Sequence, residues 1–164
     1  MTGLRHYLEA QARDVRAFLA WFRDNQTGFV GKRMPIVVPF IVPENAGAVD
    51  SVLFVPDVQY ELVYAAESHI TAGTDGSAVT GDVTKAASGT AITAGTSLLV
   101  TTFNLKSTAS TPVIKRLGNG GLAARPTRYV NSGQQVGLNF GGTLTGYVGG
   151  AFTLVLVPTV RANW

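Results

Sequence analysis

The chain has 164 residues, 46% of them apolar, which is enough to fill one core of ordinary domain size and argues against disorder along its whole length. Only 14% of residues are charged, 19 are glycine and none is cysteine, so many tight turns are expected, and a disulfide framework or thiolate metal site is excluded. The net charge of +3 belongs to residues 1–33, where six basic side chains face three acidic ones; residues 34–164 hold seven of each.

From residue 4 to about residue 24, apolar residues recur on a three-then-four spacing at Met1, Leu4, Leu8, Val15, Phe18 and Phe22, with Gln11 the polar member. This predicts one long amphipathic helix, about 30 Å at about 1.5 Å per residue. Tyr7, Ala12, Leu19 and Trp21 widen its stripe beyond a coiled-coil seam, and Arg13, Arg16, Arg23 and Glu9 lie on the other side. Residues 34–43 carry prolines at 35, 39 and 43, and proline donates no ladder hydrogen bond, so an edge strand or extended linker is expected there. Strands are then expected at 51–55, 58–70, 78–85, 97–105, 127–131, 135–140 and 151–157, separated by glycine-rich turns such as 72–76 and 118–121. With 36–42 that makes about eight, and no second helix is visible. The expected fold is mainly β: an eight-stranded β-sandwich, with a jelly roll the commonest eight-stranded form, preceded by an N-terminal α-helical arm. The arm and linker would be residues 1–33 and the sandwich residues 34–164.

Residue types for catalysis are sparse. The two histidines, His6 and His69, have no histidine or cysteine at ligand spacing, so no metal and no cofactor is expected. Ser68, His69 and Asp75 are the residue types of a hydrolase triad. However, the nucleophile-elbow motif is missing and neighbours on a strand point to opposite faces, so no enzyme activity is expected. Residues 118–123, GNGGLA, satisfy a dinucleotide fingerprint in letters only, since a strand rather than a helix is expected to follow. Asp75-Gly76-Ser77 resembles a fragment of a calcium loop without its succession of oxygen ligands. Tyr60 and Tyr64 are expected on one face of a strand, where aromatics can stack on sugars or fill a core or subunit interface. Basic residues beyond the arm run no longer than Lys115-Arg116, so no nucleic acid partner is expected. The longest apolar run, 151–157, is too short for a bilayer helix, so no membrane partner is expected either, and synthesis in the host cytoplasm without a secretion signal is the expectation.

The segments VYAAESHITAGTDGSAVT (63–80), AGTSLL (94–99) with FNLK (103–106), GQQVGLNFGGTL (133–144) and FTLVLVP (152–158) together resemble the jelly-roll decoration, or cement, proteins of tailed-bacteriophage capsids. The resemblance covers 63–158 as texture and segment order, with no invariant catalytic motif. It implies a homotrimer on the outer face of the capsid that bridges subunits of the major capsid protein. The arm lies outside the resemblance. Its own residues fit capsid or oligomer contact, with Leu8, Val15, Phe18 and Phe22 as apolar anchors and Arg13, Arg16, Arg23, Lys32 and Arg33 as steering charges. The expected alternative is a receptor- or glycan-binding module at the tip of a phage fibre or spike.

Overall fold

Period-two alternation, in which Val, Leu and Phe point inward between Thr, Tyr and Ala, builds two sheets from the ten strands of the described residues. The computed structural model describes residues 35–42 and 50–159; the expected helical arm and all nine of its named contact residues lie outside them. The strands are β1 (Ile36–Ile41), β2 (Ser51–Phe54), β3 (Tyr60–Ser68), β4 (Thr80–Ala86), β5 (Thr96–Ser97), β6 (Phe103–Asn104), β7 (Val113–Arg116), β8 (Tyr129–Val130), β9 (Gln135–Gly141) and β10 (Ala151–Pro158), with a short 3-10 helix at Ile92–Ala94. The first sheet runs β1-β10-β3-β7 with β8 also beside β3, and the second runs β2-β9-β4-β5 with β6 also beside β4.

Every pairing is antiparallel, and the pairings nest. β1 pairs with β10, β2 with β9, β3 with β7, and β4 with β5 and β6. That is the order of one long antiparallel ribbon doubled back on itself. Successive strands β1 to β4 fall alternately in the first and second sheets, and the roll is closed where β10 meets β3 and β9 meets β4.

The inward residues of both sheets share one cluster, in which Leu62, Ala65, Leu154 and Leu156 of the first sheet meet Val83, Leu138 and Phe140 of the second. Phe152 of β10 reaches across to the second sheet. It makes edge-on contacts with Phe103 at 5.7 Å and Phe140 at 5.8 Å between ring centroids, and a Cβ at Gly81 would lie 3.0 Å from its Cζ. Glycine at 81 is what leaves room for the ring.

The proline-bearing segment is the edge strand β1, with Pro39 opposite Thr153. Three expectations change. The single strand expected at 97–105 is two short ones, because the Ser97 hydroxyl accepts from the N–H of Leu99 and turns the chain out of the ladder, where Leu99 bridges to Leu122. Residues 113–116 form a strand additional to those expected. Finally, Tyr60 and Tyr64 are not on one face. Val155 pairs with Tyr64 but the next residue, Leu156, pairs with Leu62, so Val63 is a bulge that reverses the alternation. Tyr60 is buried edge-on against Phe54, while Tyr64 points out.

Candidate interaction surface and buried polar clusters

The outward faces of the two sheets differ in chemistry. On the second sheet the outward positions include Thr80, Asp82, Thr84, Ser97, Gln135 and Asn139, with Val52 opposite Gly137 as an exposed apolar member. The 3-10 helix covers part of them, since the Thr84 hydroxyl donates to the Ile92 carbonyl at 3.0 Å. Asp82 accepts from the Ser97 hydroxyl at 2.7 Å, and burial pushes its carboxyl above the ordinary range. This face is polar and partly roofed.

The first sheet presents the opposite. Three rows cross it: Val37, Val155, Tyr64 and Arg116; Pro39, Thr153, Ala66 and Ile114; and Ile41, Ala151 and Ser68. These positions alternate with the buried Leu154, Phe152, Ala65 and Glu67, which fixes their outward direction. Val37 is 59% exposed, Ile41 74% and Ile114 43%. The three rows contain one charge, Arg116, and it sits at the margin. Such a stretch of exposed aliphatic side chains on a sheet face is the feature that marks an interaction site.

One end of this face carries a charged rim. Glu61 pairs with Tyr129 of β8 and with Val157 of β10. Its carboxylate accepts two bonds from Arg125, at 3.0 and 2.8 Å, and one from Arg128 Nε at 2.6 Å. Burial opposes ionisation of Glu61, but the hydrogen bonds and charges of the two arginines outweigh it and hold the carboxyl below its usual range. Arg128 also donates to the Ala123 carbonyl, and the Arg125 guanidinium lies over the Tyr129 ring.

A second polar cluster is fully enclosed. His69 Nδ1 lies 2.8 Å from Glu67 Oε1, the Tyr147 hydroxyl donates to the same oxygen at 3.0 Å, and His69 Nε2 donates to the Ser107 carbonyl at 3.1 Å. A carbonyl only accepts, so Nε2 carries its hydrogen. Burial and then the Glu67 charge push the Tyr147 phenol far above its ordinary range. Glycine at 150 makes room for it, since a Cβ there would lie 2.0 Å from the Tyr147 hydroxyl. Glu67 Oε2 and Ser107 Oγ are buried with no hydrogen-bond partner among the described residues.

Glu67, His69 and Ser107 are the residue types of a triad, but the imidazole is spent on the Ser107 carbonyl rather than its hydroxyl. The arrangement ties the end of β3 to the loops carrying residues 107 and 147. In the sequence, Glu67 and His69 stand two apart on an inward face, a spacing that points to mutual contact; the grouping of His69 with Ser68 and Asp75 misses it. Asp75 is elsewhere, accepting from the backbone N–H of Ser77 and of Thr143, which hold its carboxyl below the usual range. The loop carbonyls of Asp75 and Ser77 accept from the Lys106 ammonium, so a cation already occupies what resembled a calcium turn. The 118–123 segment is a turn closed by Asn119, which accepts from the N–H of Arg116 and Gly121, and it leads into Leu122 without a helix.

Lys115 points inward from β7. Its ammonium donates to the Thr101 hydroxyl at 2.9 Å and lies 5.2 Å from the centre of the Phe103 ring; burial, partly offset by Asp82, lowers its pKa. Among the described residues no three His, Cys, Asp or Glu side chains stand together as metal ligands. Neither a family model, nor a curated protein, nor a solved structure matches the chain.

Proposed function

We propose that this chain is a structural virion protein that decorates a phage capsid and stabilises it by bridging major capsid protein subunits, acting as a homotrimer on the outer capsid surface. The observation that carries this reading is the nested pairing of β1 with β10, β2 with β9, β3 with β7 and β4 with β5 and β6. It supports a jelly-roll form of the sandwich, the fold implied by the resemblance of 63–158 to the decoration proteins. The largely apolar outward face of the first sheet, with Arg116 its one charge at the margin, adds to it, because a homotrimer needs a broad apolar surface for contact between its copies. Residues 1–33 supply a second, basic contact in this scheme, with Leu8, Val15, Phe18 and Phe22 as anchors.

The glycan-binding alternative gains no specific support. Tyr60 and Tyr147 are buried, Tyr64 lies mid-strand opposite Arg116, and the Tyr129 ring is already faced by the Arg125 guanidinium. The test is addition of the purified full chain to undecorated capsids of the encoding phage. Co-sedimentation at a saturable, symmetric number of copies, with a raised temperature of capsid rupture, is expected. Absence of binding at micromolar protein would overturn the proposal.

A further inference from the structure

We infer that the outward face of the β1-β10-β3-β7 sheet is the surface through which one copy of this chain meets another. The inference rests on the proposed self-association and specifies where it occurs.

Area and charge both point to a second copy of the chain as the occupant. Four strands about 4.8 Å apart and up to about 26 Å long outline a face of roughly 500 Å² before side-chain relief is counted. A standard interface takes about 800 Å² from each partner, so this face forms the greater part of one. An exposed apolar field of several hundred Å² on a soluble protein is commonly a functional contact surface.

The centre of the field is low and uncharged: Ala66 and Thr153 lie among the bulkier Val37, Val155, Tyr64, Ile114 and Ile41, and Ala151 and Ser68 continue the low strip to one end. Small residues flanked by large ones let side chains from a facing surface interdigitate. The charges at the margin of the field, Arg116 and the Glu61, Arg125 and Arg128 group, sit where a polar rim belongs. The other sheet offers no such surface, since Asp82, Asn139 and Gln135 would each need a partner there.

The experiment uses the full chain. Light scattering should give an oligomer, and Ala66→Glu and Val155→Glu should shift it to folded monomers, because both side chains point outward and the charge enters only the interface. Gln135→Glu, on the other sheet, should leave the oligomer intact. Because the chain contains no cysteine, a single Thr153→Cys substitution gives an independent reading that does not depend on the charged variants folding. Its thiol should react with a maleimide at least tenfold more slowly than that of Gln135→Cys in the oligomer, and at a comparable rate after dilution to monomer.

An oligomer in which the thiol introduced by Thr153→Cys reacts freely, or which survives both charged substitutions, would overturn this inference while leaving self-association standing. A wild-type monomer at micromolar concentration would overturn both. Protection of the thiol that persists in the diluted monomer would mean that the chain's own residues cover the face, and would equally overturn it.

Discussion

Removing the Phe152 side chain should cost this protein about 3–5 kcal/mol, the range for a large aromatic deleted from a packed core. Phe152 is 1% exposed and spans the two sheets, touching Phe103 and Phe140 edge-on. Two such aromatic pairs are each worth about 0.5–1.5 kcal/mol beyond buried area, which places Phe152→Ala toward the top of that range. Gly81 tests the same geometry from the opposite side. An added Cβ would meet Phe152 Cζ at 3.0 Å and Cε1 at 3.2 Å, so Gly81→Ala overpacks the site and should cost about 1–3 kcal/mol.

The two changes are coupled, because Phe152→Leu withdraws the atoms that the new methyl strikes. Gly81→Ala should therefore cost at least about 0.5 kcal/mol less in the Phe152→Leu background than in the wild type. Guanidinium denaturation followed by circular dichroism, at one fixed protein concentration because assembly shifts apparent stability, measures each of these proteins. A loss below about 1 kcal/mol for Phe152→Ala would refute the packing of the two sheets about this ring. Equal costs of Gly81→Ala in the two backgrounds would refute the close approach.

Three further outcomes are expected. His69→Ala leaves the Glu67 carboxyl buried without its strongest partner and should cost about 3–5 kcal/mol in the same denaturation assay, whereas Tyr147→Phe, which removes one of two bonds to Glu67 Oε1, should cost about 1–2 kcal/mol. The lowered pKa of Glu61 contributes stability that is present above the ordinary glutamate value of about 4.3 and is lost as pH falls through the folded value. Acid titration of the Arg125→Gln, Arg128→Gln double variant should thus show a shallower loss of stability below about pH 4 than the wild type. Tyr147 has the opposite sign: its raised pKa means that the unfolded chain gives up the phenolic proton first, so its contribution is complete below about pH 10 and declines above it, and melts between about pH 9 and 11 should show a decline that Tyr147→Phe reduces.

The sheet class was legible because Phe152, Leu154 and Leu156 alternate with Thr153 and Val155, and Val136, Leu138 and Phe140 with Gly137 and Asn139. Pro39 marked an edge strand correctly for a reason of bonding, since proline gives no donor to a further strand. Strand β7 was hidden by Lys115, whose charge at an inward position breaks the apolar alternation. The Thr101 hydroxyl, the Phe103 ring and the charge of Asp82, all distant in sequence, make that position tolerable. The bulge at Val63 was equally hidden, because nothing in the local pattern distinguishes a nine-residue strand with one extra residue from a regular one, and the faces of Tyr60 and Tyr64 depend on it.

The candidate surface was partly readable. Val37 and Ile41 alternate with Ile36, Val38 and Phe40, which are also apolar, so the strand reads as apolar on both sides. Which of the two sides faces the core depends on register with β10, and a single sequence does not carry that pairing. The Glu67, His69 and Tyr147 cluster joins residues 80 positions apart and follows only from the fold.

Locating the protein in purified virions, by cryo-electron microscopy with an antibody against the sandwich as label, tests the central proposal most directly. The proposal predicts regularly spaced density at symmetry-related positions on the outer capsid surface, each lying over the junction of major capsid subunits. Label confined to the tail or to fibre tips, or virions that lack the protein altogether, would contradict it.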